Sequence, residues 1–204
     1  MVWQKIERNG IINMTTQENA IFRTDTKALV GAVILGIVFV IACQATGFID
    51  NLLPWGKAGM YLINGSVWAF FTGIIALLYK QPAGIIAGEV QAVISIWFSP
   101  LWLCFIFANA IGSIVMSVVS AKLSMEKWWH HIVSQFFVTF LGNCCVFVGL
   151  IKIYCVPVVV ALWETAIIIV VTWIVATILQ KFVYDAALQL MNGDFSSLEK
   201  SNYL

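Results

Sequence analysis

Long apolar stretches, separated by short polar or helix-breaking segments, run through most of the chain. A membrane-spanning helix needs about 20 predominantly apolar residues to cross a hydrocarbon core of about 30 Å. The pattern predicts six such helices: Ala28 to Phe48, Ala58 to Tyr79, Pro82 to Phe98, Leu101 to Ala121, Ile132 to Ile151 and Val158 to Gln180. We therefore expect an all-α integral membrane protein, a bundle of six transmembrane helices.

The composition supports this class and excludes others. Hydrophobic residues make up 61% of the 204 residues and charged residues 10%, with a mean hydropathy of +0.94. A soluble domain could not cover its surface with so few charges. The formal net charge of +1 argues against a nucleic-acid surface. The expected organisation is a tail over residues 1–27, one membrane domain over 28–181 and a second tail over 182–204.

The positive charges predict the orientation. Cytoplasmic connections carry an excess of Lys and Arg. With the amino terminus inside, nine basic residues are cytoplasmic and two are external, Lys57 and Lys152. This predicts a multi-pass protein of the cell membrane, with both termini in the cytoplasm. The cytoplasmic residues are Lys5, Arg8, Arg23, Lys27, Lys80, Lys122, Lys127, Lys181 and Lys200.

Polar and aromatic residues inside the spans are the candidate binding residues. An acidic side chain in the hydrocarbon core costs about 2.5–3.5 kcal/mol, so it normally has a partner or a function. Glu89, in the third span, is the foremost example, because no span contains a Lys or Arg to neutralise it. Counted along the helices, the polar residues cluster in the outer half and predict a pocket that opens outward. The candidates are Glu89, Glu164, Trp163, Trp68, Asn64, Asn109, Asn143 and Trp55.

Several candidates also have structural interpretations. The asparagines can simply join neighbouring helices, and Trp97 and Trp102, beside the Ser99-Pro100 turn, suit an interfacial aromatic belt. Small residues recur every four positions on the first span, at Ala28, Ala32 and Gly36. Such a stripe admits another helix closely, either within this bundle or from a partner.

Catalytic and metal motifs are missing from the sequence. His130 and His131 are adjacent and on the predicted cytoplasmic side, which favours a structural or interfacial role over a metal or haem site. The five cysteines show no ligand spacing. No catalytic triad, zinc-protease motif or phosphate-binding loop occurs. As a free-standing pump or enzyme the chain would therefore lack an energy source and a nucleophile, and we expect neither a metal nor a cofactor.

The sequence resembles the S components of energy-coupling factor (ECF) importers, the membrane subunits that bind vitamins. The resemblance rests on the six predicted helices, the small-residue stripe on the first, the polar and aromatic first external turn and the segment from Lys80-Gln81-Pro82-Ala83 to Gly88-Glu89-Val90-Gln91-Ala92. The region from Gly59 to Gly112 is most similar to the YkoE-like group, which is associated with thiamine or its hydroxymethylpyrimidine precursor.

This resemblance implies a mechanism and partners. The chain would bind a small vitamin from outside and release it inside by reorienting on a transmembrane T subunit, driven by two cytoplasmic ATPases. Ala28, Ala32 and Gly36 would dock the T subunit, and Glu89 would be the pocket carboxylate. A carboxylate can grip an aminopyrimidine bidentately while Trp68 or Trp163 stacks on its ring. The alternatives are a haem-binding S component and an intramembrane structural or enzymatic subunit.

Overall fold

The computed structural model describes residues 21–22 and 26–191, and within that part of the chain the regular structure is helical. The described helices alternate in direction, because the connections between the long ones are short. They are α1 (Thr26–Leu52), the single turn α2 (Pro54–Lys57), α3 (Leu62–Tyr79), α4 (Ala83–Ser95), α5 (Trp102–Lys122), α6 (Trp128–Lys152) and α7 (Val158–Met191).

Five of these helices are long and apolar enough to cross a membrane, namely α1, α3, α5, α6 and α7. The predicted all-helical membrane bundle is thus confirmed at this level. The third predicted span is shorter than expected. Its helix α4 has 13 residues, or about 20 Å at 1.5 Å per residue. The chain then continues in turns to Pro100, which lacks a backbone donor and disfavours helix in the residue before it.

Helix α3 lies at the centre of the bundle. It contacts each of the other long helices and also α4. Its interior face carries Trp68, Ala69, Thr72 and Gly73, all buried. The remaining helices follow one another around it in the order α1, α4, α5, α6 and α7, since each contacts the next.

The small-residue stripe of α1 is covered inside the chain. Ala28 and Ala32 are 2% and 0% exposed, and Gly36 is also buried. A methyl group on Gly36 would lie 2.9 Å from both the carbonyl oxygen of Ala87 and the Cβ of Val90 on α4. The stripe predicted to dock a partner, Ala28, Ala32 and Gly36, is thus buried within this chain, with Gly36 against α4, and its docking role stays a prediction.

Substitution of Gly36 by alanine tests this packing. We expect Gly36→Ala to lower the free energy of unfolding by about 1 to 2 kcal/mol, because the added methyl group would overlap α4 backbone. Thermal unfolding of the purified protein in detergent measures the change. Gly31→Ala is the matched control, because its methyl group would meet only the ring of Tyr79 at 3.3 Å. Equal effects of the two substitutions would contradict the assigned packing.

The predicted tails differ from the structure at the carboxyl end. Helix α7 runs to Met191, beyond the predicted boundary at Gln180 and into the predicted tail. The Lys181 ammonium donates to both carboxylate oxygens of Asp185, at 2.5 and 2.6 Å, one turn further along α7. Nearly all of the predicted amino-terminal tail, residues 1–27, lies outside the described residues.

Candidate functional site

A cavity of about 750 Å³ opens at one end of the bundle, which we call the cavity end. It lies where α1 and α6 finish and where α3, α5 and α7 begin, with the α4–α5 connection completing the wall. Its volume falls within the range of small-molecule sites, about 300–1,000 Å³. Lys80, Lys122 and Lys127 lie at the opposite end, which we call the basic end.

Three aromatic side chains form one wall of the cavity. The rings of Trp68 and Phe105 meet edge to face at 5.4 Å, and those of Trp102 and Phe105 at 4.3 Å. Trp68 and Trp102 are 2% and 8% exposed. Trp102 is therefore a cavity residue, and its interpretation as a belt residue is wrong. We refer to Trp68, Trp102 and Phe105 as the aromatic wall, of which Phe105 is the most exposed member.

Three polar side chains reach the cavity from three helices. Glu164 on α7 is half-buried and forms no hydrogen bond or ion pair with any described residue. Asn64 on α3 has a buried Oδ1 atom with no partner in the described part of the chain. Asn143 on α6 donates to the carbonyl oxygen of Thr139 at 2.8 Å. The cavity thus presents one unpaired carboxylate, that of Glu164, to its contents, whereas the Asn64 Oδ1 atom is buried in the wall.

Two tyrosines bridge the rim of the cavity. The Tyr61 hydroxyl donates to Oδ1 of Asn51 at 3.0 Å, which joins the start of α3 to the end of α1. The hydroxyls of Tyr154 and Ser99 share a hydrogen bond of 2.7 Å between two connections. Gly59 lies against the cavity carboxylate, since a methyl group there would be 3.6 Å from Oε1 of Glu164.

The connection between α1 and α3 is held by the buried carboxylate of Asp50, which is 0% exposed. Its Oδ1 accepts from the Trp55 indole at 2.8 Å and from the backbone N–H of Ile63 at 3.1 Å, while Oδ2 accepts from the backbone N–H of Asn64 at 2.8 Å. The first turn of α3 has unpaired N–H groups and a partial positive charge, which a carboxylate satisfies. Asp50 therefore fixes the helix end that carries Asn64 into the cavity.

Asn109 supports the aromatic wall from behind. Its Oδ1 accepts from the Trp68 indole at 2.7 Å, and its Nδ2 donates to the carbonyl oxygen of Gly88 at 2.6 Å and to Oε1 of Gln91 at 3.1 Å. These bonds tie α3, α4 and α5 together. Asn109 is fully buried and does not line the cavity. It has the structural role that the sequence left open, and it orients Trp68.

We expect Asn109→Ala to lower the free energy of unfolding by about 2 kcal/mol, because it leaves the buried Trp68 indole without an acceptor. Unfolding in detergent, followed by tryptophan fluorescence, measures the loss. Thr177→Ala is the control, since the Thr177 hydroxyl bonds only within its own helix, to the carbonyl oxygen of Trp173. If Thr177→Ala costs as much, Asn109 does not join the helices as described.

Three other predicted site residues also lie away from the cavity. Trp163 is 65% exposed and faces outward, because adjacent helical positions point about 100° apart and Glu164 faces the cavity. The Trp55 indole is bonded to Asp50. Glu89 lies on the outward side of α4, opposite its buried residues. The carboxylate that lines the cavity is Glu164.

Sequence reasoning missed several lining residues, including Tyr61, Tyr154, Trp102, Phe105 and Gln44. The positions of four of these residues in the sequence could have indicated that they line the pocket. Tyr61 and Tyr154 flank external connections in the predicted topology, and Trp102 and Phe105 are three positions apart on the same helix face as Asn109. Treating the connections as walls of the pocket would have included them.

A second polar cluster lies in the half towards the basic end. The Gln135 amide donates to the carbonyl oxygens of Ala69, at 3.2 Å, and of the Gln180 side chain. Gln180 and Nδ1 of His131 are 3.0 Å apart, and Nε2 of His131 lies 2.7 Å from the carbonyl oxygen of Met125. Both ring nitrogens of His131 thus have partners, which gives this residue a structural role between α6 and α7. Among the described residues, no three His, Cys, Asp or Glu form a metal-binding group.

Comparisons with known proteins leave the family of this chain open. No family model, no curated protein and no solved structure matches it. The residues that line the cavity are therefore the evidence for function, since a fold alone does not define an activity.

Proposed function

We propose that this chain is a substrate-binding membrane subunit that takes up a small, flat, amine-bearing organic molecule at its cavity end. The observation that carries the proposal is the unpaired Glu164 carboxylate, which faces the same cavity as the aromatic wall. A flat ring packed against the aromatic wall, beside Phe105 and Trp102, would bring an exocyclic amine or a cationic nitrogen towards the carboxylate. Such charge-assisted hydrogen bonds are about twice as strong as neutral ones.

The fold and the charges support an importer of the ECF type. We propose a six-span topology in which α4 is the short third span, with both termini cytoplasmic. The basic end carries Lys80, Lys122 and Lys127, whereas the cavity end carries Lys57 and Lys152, so the positive-inside rule favours an external cavity. A transmembrane T subunit and two ATPases would provide the energy. Thiamine and its hydroxymethylpyrimidine precursor fit the proposed chemistry as cargo.

Binding by the purified chain tests the proposal. We expect thiamine or the hydroxymethylpyrimidine to quench tryptophan fluorescence saturably, because the ligand would pack against the aromatic wall, beside Phe105 and Trp102. Mass spectrometry of protein purified without added ligand should detect a retained molecule with an amine and a flat ring. Benzoate, which is flat but anionic, is the matched negative ligand. Equal binding of benzoate and thiamine, or no saturable binding of either amine, would overturn the proposed function.

A further inference from the structure

Glu89 is half-buried and lies on the side of α4 that faces away from the centre of the bundle. The buried residues of this helix are Ala83, Gly84, Ala87, Gly88, Gln91, Ala92 and Ser95. At about 100° per residue, these positions centre on the side of the helix opposite Glu89. Glu89 shares its face with Ile85, one turn before, and with Val93, one turn after, which is 53% exposed. Trp97, in the turn that follows the end of α4 at Ser95, is 89% exposed. We call Ile85, Glu89 and Val93, together with Trp97, the α4 outward stripe.

The stripe lies along the apolar part of the bundle. Glu89 is six residues from the start of α4, which places it about 9 Å along the helix axis. The neighbouring α1 packs against α4 at this level, where Gly36 meets Ala87 and Val90. In the proposed topology Glu89 is therefore inside the hydrocarbon layer, one to two turns from the basic end. A carboxylate facing lipid there is unfavourable by several kcal/mol unless another molecule covers it.

Nothing in the described part of the chain satisfies this carboxylate, since no described residue forms a hydrogen bond or ion pair with Glu89. Within the described helices of a second copy, Lys181 is the one Lys or Arg more than two positions from a helix end, and it is 7% exposed and paired with Asp185. Charge complementarity therefore favours a different protein with a basic residue in its membrane span.

We propose that the α4 outward stripe docks a transmembrane helix of another membrane protein, and that a Lys or Arg of that helix pairs with Glu89. Val93 and Trp97 would supply the apolar contact on one side of the ion pair and Ile85 on the other. The inference deepens the proposed function, and rests on it, by naming the chemistry of the partner subunit. It also names a docking surface other than the α1 stripe, which is buried within this chain.

A model partner tests the charge requirement directly. The full chain is reconstituted in phosphatidylcholine vesicles with a labelled, leucine-rich transmembrane peptide that carries one Lys at the expected depth, and association is measured by energy transfer. We expect the Lys peptide to bind about tenfold more tightly than the same peptide with Leu, which corresponds to the 1 to 2 kcal/mol of a polar contact between membrane helices. Glu89→Gln should remove this difference, whereas Glu164→Gln, in the cavity, should preserve it.

Three results would overturn the inference. The first is equal binding of the two peptides to the unsubstituted chain. The second is a preference for the Lys peptide that persists in Glu89→Gln. The third is self-association of the chain through Glu89 in the absence of peptide. The last result would identify a second copy as the occupant. Thiamine binding measured on the same vesicles separates this inference from the proposed function. If the chain binds thiamine but does not dock the peptide, the α4 outward stripe is rejected and the proposed function stands. If it docks the peptide but does not bind thiamine, the proposed cargo is rejected.

Discussion

Replacing Asp50 by alanine is expected to lower the free energy of unfolding by about 3 kcal/mol or more. The substitution removes the acceptor of the Trp55 indole and of the backbone N–H groups of Ile63 and Asn64, in a place where Asp50 itself is 0% exposed. Hydrogen bonds to a charged group contribute about 1.5–3 kcal/mol, and buried donors left without acceptors add their desolvation cost. Thermal or denaturant unfolding in detergent measures this loss.

Two variants make the Asp50 experiment specific. Asp50→Asn keeps one acceptor oxygen but turns the other position into a donor that faces a donor, so an intermediate loss is expected. Asn51→Ala changes the exposed neighbour, which accepts only from the Tyr61 hydroxyl, and should cost less than about 1 kcal/mol. The assigned role of Asp50 fails if Asp50→Ala is no more harmful than Asn51→Ala.

Under the proposed function, replacing Glu164 by glutamine is expected to weaken thiamine binding about 10- to 100-fold. Glutamine preserves the size of the side chain but removes its charge, and a charge-assisted hydrogen bond contributes about 1.5–3 kcal/mol. Titration calorimetry on the purified variant measures the affinity. Stability should change little, because Glu164 has no partner among the described residues that the substitution would strand.

Glu89→Gln is the matched control for this measurement. It makes the same chemical change on α4, outside the cavity, so thiamine affinity should stay within about twofold of that of the unsubstituted chain. A loss of affinity in Glu89→Gln with none in Glu164→Gln would reverse the assignment of the two carboxylates. It would return Glu89 to the position that the sequence alone suggested.

Glu89 and Glu164 show which features of the fold could be predicted from the sequence and which could not. Apolar runs predicted the five long helices, because hydrophobic length is a strong signal in a membrane. Which side of each helix points into the bundle was harder to predict. Lipid is as apolar as the protein core, so polarity does not distinguish the lipid-facing side from the buried side. Small residues do distinguish it, because they allow close helix contact. Ala87, Gly88 and Ala92 define the buried side of α4, and this pattern alone would have placed Glu89 outside.

The cavity was predictable in its position and only partly in its residues. Asn64, Trp68, Asn143 and Glu164 line it, at the end that the lysine count assigns to the outside. Trp163 lies outside the cavity because it is one position from Glu164 and therefore points about 100° away from it. The role of Asp50 depends on a contact with α3 across the connection between two helices, and helical periodicity contains no information on such a contact.

The central position of α3 has a consequence for how the protein is made. This helix emerges from the ribosome before α4, α5, α6 and α7, the four helices that later surround it together with α1. Until α7 has been synthesised, Gln135 lacks Gln180 and Gly65 lacks its neighbour Thr172. The contacts that α7 makes with α3 and α6 therefore form only after the last helix has been synthesised, so the native packing of the bundle is completed late.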